Sequence, residues 1–376
     1  MTSQLTAARL IDRNVHLTWV NGGPDLVVSL FWLRDNCQEV TSQHPDTKQR
    51  LVDTFNISTD ISASVKIENN GQQLAVEWSN NDPISHFDSA FLASLRANPE
   101  ILPSTRTLWD CGISNAVPEV PYAEFLNNDA VLKDLLEKVQ RFGLCFIEGV
   151  PGTPEATKAI ATRISYIRET IFGGYWDFTA NMEHKDTAYT SMAIGPHTDG
   201  TYSFDAPGYQ MFHCLAAECT GGENVLIDGF KMAEILAQDQ PALYKVLTEV
   251  AIPGQYLDYD RGIHLMARRP LLRLDDSGEL VQVTYNNYDR APFVLPPGQH
   301  ALLYQALNAF NALCHDPALH YRRRLLPGSV LLFDNWRVLH ARDAYVGYRQ
   351  LAGVYLNKED VESRLRYLRI KASQAT

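Results

Sequence analysis

The sequence predicts a mainly β protein with flanking helices, in which a small N-terminal β-rich domain precedes a larger β-sandwich or jelly roll. In residues 175–356, short apolar runs alternate with Gly and Pro, and two helical segments interrupt them near 231–249 and 300–314. A stretch that contains several prolines, residues 98–121, separates this region from the N-terminal part and is typical of a linker.

The N-terminal domain, expected at 1–110, is predicted to hold a few strands and one helix. Residues 26–33 form an apolar run that indicates a buried strand. Strands at 65–67 and 73–78 flank an Asn-Asn-Gly turn. A helix is expected over 88–97, which completes a small β-rich module.

The second domain, expected at 111–376, opens with an amphipathic helix. Its apolar residues recur at three- and four-residue spacing within 125–142, and Gly143 can end it. A strand is predicted at 144–147. Thr153, followed by proline, is a suitable N-cap for a second helix that extends to about residue 170.

Composition and charge exclude several classes of protein. The chain has 376 residues, with 33 basic and 44 acidic side chains and a net charge of −11, so we expect neither a nucleic-acid nor a membrane partner. No apolar run approaches the ~20 residues of a membrane-spanning helix. Six scattered cysteines without a C-x-x-C pair predict reduced thiols and a cytoplasmic location, while an N-terminus with Arg9 and Arg13 leaves a mitochondrial one open.

Histidine and aspartate in an H-x-D triplet share one face of an extended strand, where both can bind one metal ion. Eleven histidines and 44 carboxylates predict about 1.3 such triplets by chance. This chain has four, beginning at His44, His86, His184 and His197. Flanking Gly and Pro residues inside the β-rich region favour the triplet of His197 and Asp199.

A second histidine, His340, lies far downstream beside a predicted strand, and Arg349 opens another strand. With His197 and Asp199, His340 would complete the facial triad of non-haem Fe(II) oxygenases, which leaves positions for a keto acid and O₂. Arg349 could then hold the distal carboxylate of a dicarboxylic keto acid. Two other interpretations stay open, because Zn²⁺ accepts the same donors and a histidine in an apolar run is often a core residue.

Four stretches of the sequence carry a family resemblance: 31–37 (FWLRDNC), 220–230 (TGGENVLIDGF), 285–291 (YNNYDRA) and 333–356. They resemble the trimethyllysine dioxygenase family, in the group that also contains γ-butyrobetaine dioxygenase. The resemblance covers nearly the whole chain. Residues 347–351 (GYRQL) favour the trimethyllysine branch.

The resemblance implies a double-stranded β-helix (jelly roll) that holds Fe(II) and 2-oxoglutarate, with O₂ as the other cosubstrate. It implies His197, Asp199 and His340 as catalytic iron ligands and Arg349 as the residue that binds 2-oxoglutarate. The implied reaction is hydroxylation of a small amino acid, N6,N6,N6-trimethyllysine at C3, in carnitine biosynthesis. The implied assembly is a homodimer.

A trimethylammonium group donates no hydrogen bonds, so aromatic faces are expected to surround it. The resemblance implies Phe172, Trp176 and Tyr189 as this aromatic cage, with Asp186 beside them as a carboxylate partner. Core packing is the competing interpretation of the same aromatic residues. Phe172 stands where the family has Tyr, and the lost hydroxyl bears on the identity of the substrate.

The amino-acid end of the substrate needs its own polar partners. Asn287 and Arg290 lie in a stretch that matches the family and are candidates for binding the carboxylate and amine. Arg290 is the better carboxylate ligand on chemical grounds. An exposed salt bridge is the alternative interpretation of Arg290.

A structural zinc site is implied by the resemblance in the small domain, through clustered cysteines and a histidine. Here Cys37 and His86 are present, but residues 38–43 contain no cysteine. Because structural zinc sites need more thiolate than one cysteine supplies, we expect the domain to lack zinc or hold it weakly. Its role would then be scaffolding and dimerisation.

Three other functions stay open on the sequence. The same iron chemistry could act on a different amino acid, as the substitution at Phe172 suggests. The jelly roll could bind a metal or a small ligand without turnover, although an intact triad with Arg349 argues against this. A zinc hydrolase could use the same triad, although no dedicated general base accompanies it.

Overall fold

The structure is a computed structural model, and the chain divides into two compact units, Met1–Ser104 and Thr105–Thr376. Trp109, which the sequence analysis assigns to the first domain, belongs to the second unit, where its backbone N–H donates to the carboxylate of Asp228 at 3.1 Å. The residues that the structure describes are 3–20, 22–80, 82–96, 106–178 and 190–374.

The first unit contains two three-stranded antiparallel sheets, ordered β1-β2-β3 and β4-β5-β6, and two short helices. Residues from both sheets and both helices share one apolar core. The elements are β1 (Leu5–Ile11), β2 (Asn14–Trp19), β3 (Leu26–Ser29), α1 (Leu30–Asp35), β4 (Ala63–Glu68), β5 (Gln73–Trp78), β6 (Ser85–Asp88) and α2 (Ser89–Ser94).

The apolar run at 26–33 is a strand only in its first half, so the prediction of one buried strand is wrong. The hydroxyl oxygen of Ser29 accepts a hydrogen bond from the backbone N–H of Trp32 at 3.0 Å and caps α1. Leu30 and Leu33 then share the buried face of a helix. Hydrophobicity alone does not separate a short buried strand from a buried helical turn.

The second unit has two main sheets and two hairpins. Its strands are, in chain order, β7 (Glu119–Pro121), β8 (Leu144–Glu148), β9 (Ile167–Arg168), β10 (Trp176–Phe178), β11 (Ile194–His197), β12 (Tyr209–Gly221), β13 (Asn224–Asp228), β14 (Ala251–Asp258), β15 (Ile263–Pro270), β16 (Leu272–Leu274), β17 (Leu280–Val283), β18 (His320–Arg323), β19 (Ser329–Asp334), β20 (Val338–Arg342) and β21 (Tyr345–Leu356). Its helices are α3 (Tyr122–Phe125), α4 (Asp129–Phe142), α5 (Pro154–Ile164), α6 (Gly229–Asp239), α7 (Pro241–Glu249), α8 (Gln299–Cys314) and α9 (Lys358–Gln374).

The larger sheet has the order β10-β21-β12-β19-β8-β7, with β9 added to β21, and the smaller sheet has the order β11-β20-β13-β18. All of their strand pairs are antiparallel except β7 with β8. The hairpins are β14-β15 and β16-β17. The predicted mainly β class is confirmed. Among the described residues, no helix is long and apolar enough to cross a membrane.

The helix predicted at 125–142 forms over Asp129–Phe142 as α4, whereas Phe125 ends the separate short helix α3. Gly143 ends α4 in the left-handed conformation at φ 80°. A Cβ atom at Gly143 would lie 2.9 Å from the Val338 side chain, so close packing and backbone angle both require glycine. Leu132, Leu136 and other apolar residues of α4 pack against the larger sheet. The helix that begins after Thr153 ends earlier than predicted, at Ile164.

A buried ion pair joins several elements of the second unit. The Arg337 guanidinium donates to both carboxylate oxygens of Asp228, at 3.0 and 2.7 Å, and the two side chains are 1% and 0% exposed. The remaining donors of Arg337 bind the carbonyls of Arg141 and Thr107 at 3.0 and 2.7 Å. These four hydrogen bonds from the buried cation explain how the fold tolerates it.

Replacing this arginine with alanine would leave the Asp228 carboxylate buried without its cation. We expect R337A to lower the free energy of unfolding by about 3–5 kcal/mol, measured by urea denaturation of the full chain. The control R366A removes an exposed arginine 4.0 Å from Glu362, and should cost less than about 1 kcal/mol. Equal losses in the two variants would contradict a structural role for the buried pair.

Candidate active site

Two neighbouring strands of the smaller sheet bring the candidate metal ligands together. His197 ends β11 and stands directly opposite His340 of β20 in the strand register. Asp199 follows two residues later, with its carboxylate oxygens 3.3 Å from His197 Nε2 and 3.8 Å from His340 Nε2. The three ligand atoms lie within 4.8 Å of one another, which suits a single ion.

Burial and hydrogen bonds set the protonation of the three groups. His197 Nδ1 donates its proton to the Gly195 carbonyl at 2.8 Å. Burial opposes protonation of the other nitrogen, Nε2, but its contact with the Asp199 carboxylate outweighs burial and raises the His197 pKa. Burial lowers the pKa of His340 to about 3, which keeps this imidazole neutral. Burial opposes ionisation of Asp199, but the adjacent His340 and His197 side chains and the Tyr355 hydroxyl outweigh it and hold the Asp199 pKa well below its usual range.

Three hydrogen bonds hold Asp199 in place. The Tyr355 hydroxyl donates to Oδ2 at 2.7 Å. The Asp199 N–H donates to Asn335 Oδ1 at 2.8 Å, and Asn335 Nδ2 donates back to the Asp199 carbonyl at 3.0 Å. Such contacts orient a metal ligand, and the sequence analysis did not identify Tyr355 or Asn335 individually. The only sequence signal for these two residues was that they lie within 333–356, a stretch that resembles the family.

The donor set fits Fe(II). Two imidazoles and one carboxylate on one side of an ion leave further positions open, as in non-haem iron oxygenases. The same donors also accept Zn²⁺, so geometry alone does not select the metal. A cavity of about 270 Å³ adjoins the triad, and its lining includes all three ligands and Arg349.

Arg349, on β21, is a buried cation on the wall of this cavity. Its guanidinium donates to Asn224 Oδ1 at 3.3 Å and lies 5.7 Å from the Tyr345 ring centroid. Burial, followed by the charge of Arg342, lowers the Arg349 pKa to about 10. Among the described residues, no carboxylate lies within ion-pair distance of Arg349. An anion in the cavity would supply the missing charge partner.

Aromatic rings form another part of the cavity wall. Phe172 contacts Tyr256 edge to face at 5.9 Å between ring centroids, and Tyr256 lies 5.3 Å from Tyr202. All three line the cavity. The sequence analysis named Phe172 but not the two tyrosines, because they come from separate loops and strands and share no sequence spacing.

The structure does not place Trp176 in the cavity lining. Trp176 is 3% exposed, and its ring packs against Phe178, Tyr355 and Phe212 at centroid distances of 4.4, 5.3 and 5.8 Å. Those three rings line the cavity and cover Trp176. Gly353 leaves the space that the indole fills, since a Cβ atom there would lie 1.8 Å from it.

The other predicted substrate residues fall elsewhere. Asp186 and Tyr189 lie outside the described residues. Asn287 and Arg290 line a second cavity and not the one beside the triad. Their neighbour Asn286 lines both cavities.

The remaining H-x-D triplets do not assemble a metal site among the described residues. His44 Nδ1 accepts hydrogen bonds from the backbone of the following turn, including the Asp46 N–H at 3.2 Å. His86 lies beside Glu39, with Nδ1 and Oε1 3.0 Å apart. The Cys37 thiol is buried and lies 3.1 Å from the Ser85 hydroxyl. The triplet at His184 lies outside the described residues.

Comparison with known proteins decides the family. The family model described as "Taurine catabolism dioxygenase TauD, TfdA family" matches residues 101–355. The chain belongs to the TauD/TfdA dioxygenase family. Members of this family are Fe/2-oxoglutarate-dependent oxygenases, so the chain is an enzyme of the oxygenase class.

Full-length relatives match over most of this TauD/TfdA chain. Trimethyllysine dioxygenase of Meyerozyma guilliermondii is 34% identical, with 95% of this chain and 94% of the relative covered. The mitochondrial trimethyllysine dioxygenase of Homo sapiens is 36% identical, with 91% and 82% covered. Gamma-butyrobetaine dioxygenase of a Pseudomonas species is 31% identical, with 97% and 96% covered.

A solved structure supports the fold of this TauD/TfdA member. The crystal structure of AAD-2, in complex with Mn(II) and N-oxalylglycine, aligns with a TM-score of 0.51. The alignment covers 66% of this chain and 97% of AAD-2, at 11% sequence identity. At this identity the likeness supports the jelly-roll fold and nothing about ligands.

The Tyr355 hydroxyl provides a direct test of the carboxylate ligand. We expect Y355F to weaken Mn(II) binding about 10–100-fold, since partners that orient a ligand have effects of this size. Isothermal titration with Mn(II) measures the loss. The control Y348F removes an exposed hydroxyl from the same strand, which bonds Gln350 at 3.2 Å, and should leave affinity unchanged. Unchanged affinity in Y355F would contradict the assigned role.

Proposed function

We propose that this chain is an Fe(II)- and 2-oxoglutarate-dependent dioxygenase that hydroxylates N6,N6,N6-trimethyllysine at C3, a step toward carnitine. The observation that carries the proposal is the convergence of His197, Asp199 and His340 on one cavity with the buried Arg349. The relatives named trimethyllysine dioxygenase support the substrate.

Different residues of the cavity would bind the iron and the 2-oxoglutarate in such a reaction. His197, Asp199 and His340 would hold the iron, and bound iron supplies O₂ activation coupled to decarboxylation of 2-oxoglutarate. Arg349 would bind the distal carboxylate of 2-oxoglutarate through its guanidinium fork. Burial of Arg349 strengthens this contact, because little water competes for the charge. The guanidinium also donates a hydrogen bond to the side-chain oxygen of Asn224, which helps to hold it in place.

An aromatic wall supports a substrate with a quaternary ammonium group. Phe172, Tyr202 and Tyr256 present adjacent ring systems to the cavity, and each such face can contribute about 0.5–2 kcal/mol of cation–π attraction. Asp186 and Tyr189 remain predicted members of this cage. Trp176 would act indirectly, by supporting the lining rings.

A second substrate assignment within the same chemistry is γ-butyrobetaine or another amino acid. The gamma-butyrobetaine dioxygenase relative and the Phe at position 172 favour this alternative. Trimethyllysine and γ-butyrobetaine both carry a trimethylammonium group that an aromatic wall can hold. They differ at the other end, where trimethyllysine adds an α-amino group.

We also propose a homodimer in a reducing, cytoplasmic compartment, with a zinc-free first unit. All six cysteines are free thiols, which supports the compartment. The vertebrate relatives are named mitochondrial proteins, which keeps that location as the alternative. Exposed apolar residues on the β14-β15 hairpin, among them Tyr259 and Met266, support the homodimer, since a second copy of the chain could cover them. Light scattering of the purified chain tests the homodimer, and metal analysis tests the absence of zinc.

The reaction itself is tested by succinate formation with Fe(II), 2-oxoglutarate and O₂. Trimethyllysine should raise succinate formation strongly and give a product heavier by one oxygen atom, measured by mass spectrometry. γ-Butyrobetaine and unmodified lysine serve as matched comparisons. Slow succinate formation that trimethyllysine does not change would keep the oxygenase assignment and reject this substrate.

The role of Arg349 is tested separately. We expect R349Q to raise the 2-oxoglutarate concentration for half-maximal rate by about tenfold or more, as expected for a lost hydrogen bond to a charged group worth about 1.5–3 kcal/mol. The control R366Q changes an exposed arginine and should behave as the wild type. An unchanged requirement for 2-oxoglutarate in R349Q would reject this assignment.

A further inference from the structure

A second cavity, of about 280 Å³, lies in the same unit. Its polar lining consists of Arg269, Arg290, amides and hydroxyls, beside apolar residues such as Ile252 and Leu271. Its lining includes no aspartate or glutamate among the described residues. This composition is unusual in a chain with a net charge of −11. The proposed oxygenase reaction assigns no role to the cavity.

One segment of chain separates this cavity from the active site. Tyr288 and Asp289 line the active-site cavity, whereas Asn287 and Arg290 line the second one. The wall is fixed by backbone hydrogen bonds, because Gln255 N–H donates to the Asp289 carbonyl at 2.8 Å. The two cavities therefore lie on two faces of the same ordered segment.

A second segment repeats this division. Gly200 and Tyr202 line the active-site cavity, and Thr201 between them lines the second one. Thr198, between two metal ligands in sequence, donates its N–H to the Tyr285 carbonyl at 2.7 Å and accepts from the Tyr285 N–H at 3.0 Å. These bonds join the two segments of the wall directly behind the metal ligands.

Arg290 has the character of an anion ligand. Its guanidinium lies 5.3 Å from the Tyr304 ring centroid, and the described residues offer it no ion pair. Arg269 donates to the carbonyls of Ser203 and Phe204 and likewise forms no ion pair among the described residues. Burial lowers the Arg269 pKa, the neighbouring Arg273 lowers it further, and the charge of Asp205 offsets part of this effect.

Neutral donors complete the surface. Thr284 Oγ1 is buried and has no hydrogen-bond partner among the described residues. The nearest acid on the wall, Asp289, accepts hydrogen bonds from Asn286 at 2.8 Å and Thr201 at 3.4 Å. This carboxylate is thus hydrogen-bonded to both segments of the wall, and it lines the other cavity.

We propose that this second cavity is a binding site for a small dicarboxylate, separate from the site of the oxygenase reaction. Two guanidinium groups match two carboxylates, and the surrounding amides and hydroxyls supply the remaining hydrogen bonds. Arg290 is the principal ligand of the bound anion. The proposal does not depend on the identity of the oxygenase substrate.

The test is isothermal titration of the purified full chain with malonate, at constant ionic strength. Malonate should bind the wild type, and R290Q should weaken its binding about tenfold or more. R290K keeps the charge and should retain part of the affinity. The control R268Q changes the exposed arginine next to Arg269 and should bind as the wild type.

R349Q separates the two anion sites. Malonate bound at the second cavity is insensitive to R349Q, whereas malonate bound beside the candidate iron ligands is not. The proposal would be overturned if R349Q lost malonate binding, or if R290Q bound malonate as tightly as the wild type. It would also be overturned if the wild type did not bind malonate. Because the measurement needs no turnover, its outcome is independent of the oxygenase assay.

Discussion

The turn between β19 and β20 is the constraint on which the second unit depends. β19 belongs to the larger sheet and β20 to the smaller one, so this turn connects the two sheets. Its side chains bind different elements: Asn335 holds the Asp199 backbone, and Arg337 pairs with the buried Asp228. Because His340 follows three residues after Arg337, the turn also fixes the position of the second histidine.

Buried charges in this unit fall into two groups that differ in how fully they are paired. Arg337 and Asp228 pair with each other, Arg337 also donates to two carbonyls, and Asp228 also accepts from two backbone N–H groups, which makes them structural. Arg349 is also buried and Asp199 is partly buried, but the carboxylate faces two imidazoles and the guanidinium faces a cavity. An incompletely compensated buried charge is unfavourable for folding unless a ligand uses it, which is why such groups indicate a functional site.

The active-site cavity combines two chemical surfaces. Aromatic rings such as Tyr256 form one part of its lining, and the metal ligands with Arg349 form another. An apolar, π-rich wall favours a cation that cannot donate hydrogen bonds, whereas the buried guanidinium favours an anion. This division suits a reaction in which a cationic substrate and an anionic cosubstrate bind side by side.

Local spacing and composition are enough to predict part of this structure. The mainly β class, the helix that ends at Gly143 and the chemical identity of the H-x-D motif at His197 all follow from neighbouring residues. Local information failed at 26–33, where one serine hydroxyl turns an apolar run from a strand into a helix.

Tertiary structure alone decided which side chains share a cavity. Tyr202 and Tyr256 meet Phe172 from distant parts of the chain, Trp176 is covered by neighbouring rings, and Arg290 faces away from the triad. Sequence gives the residue types of a loop, but the face on which each side chain lies depends on backbone hydrogen bonds to remote strands. Those bonds form only when the sheets have assembled in register.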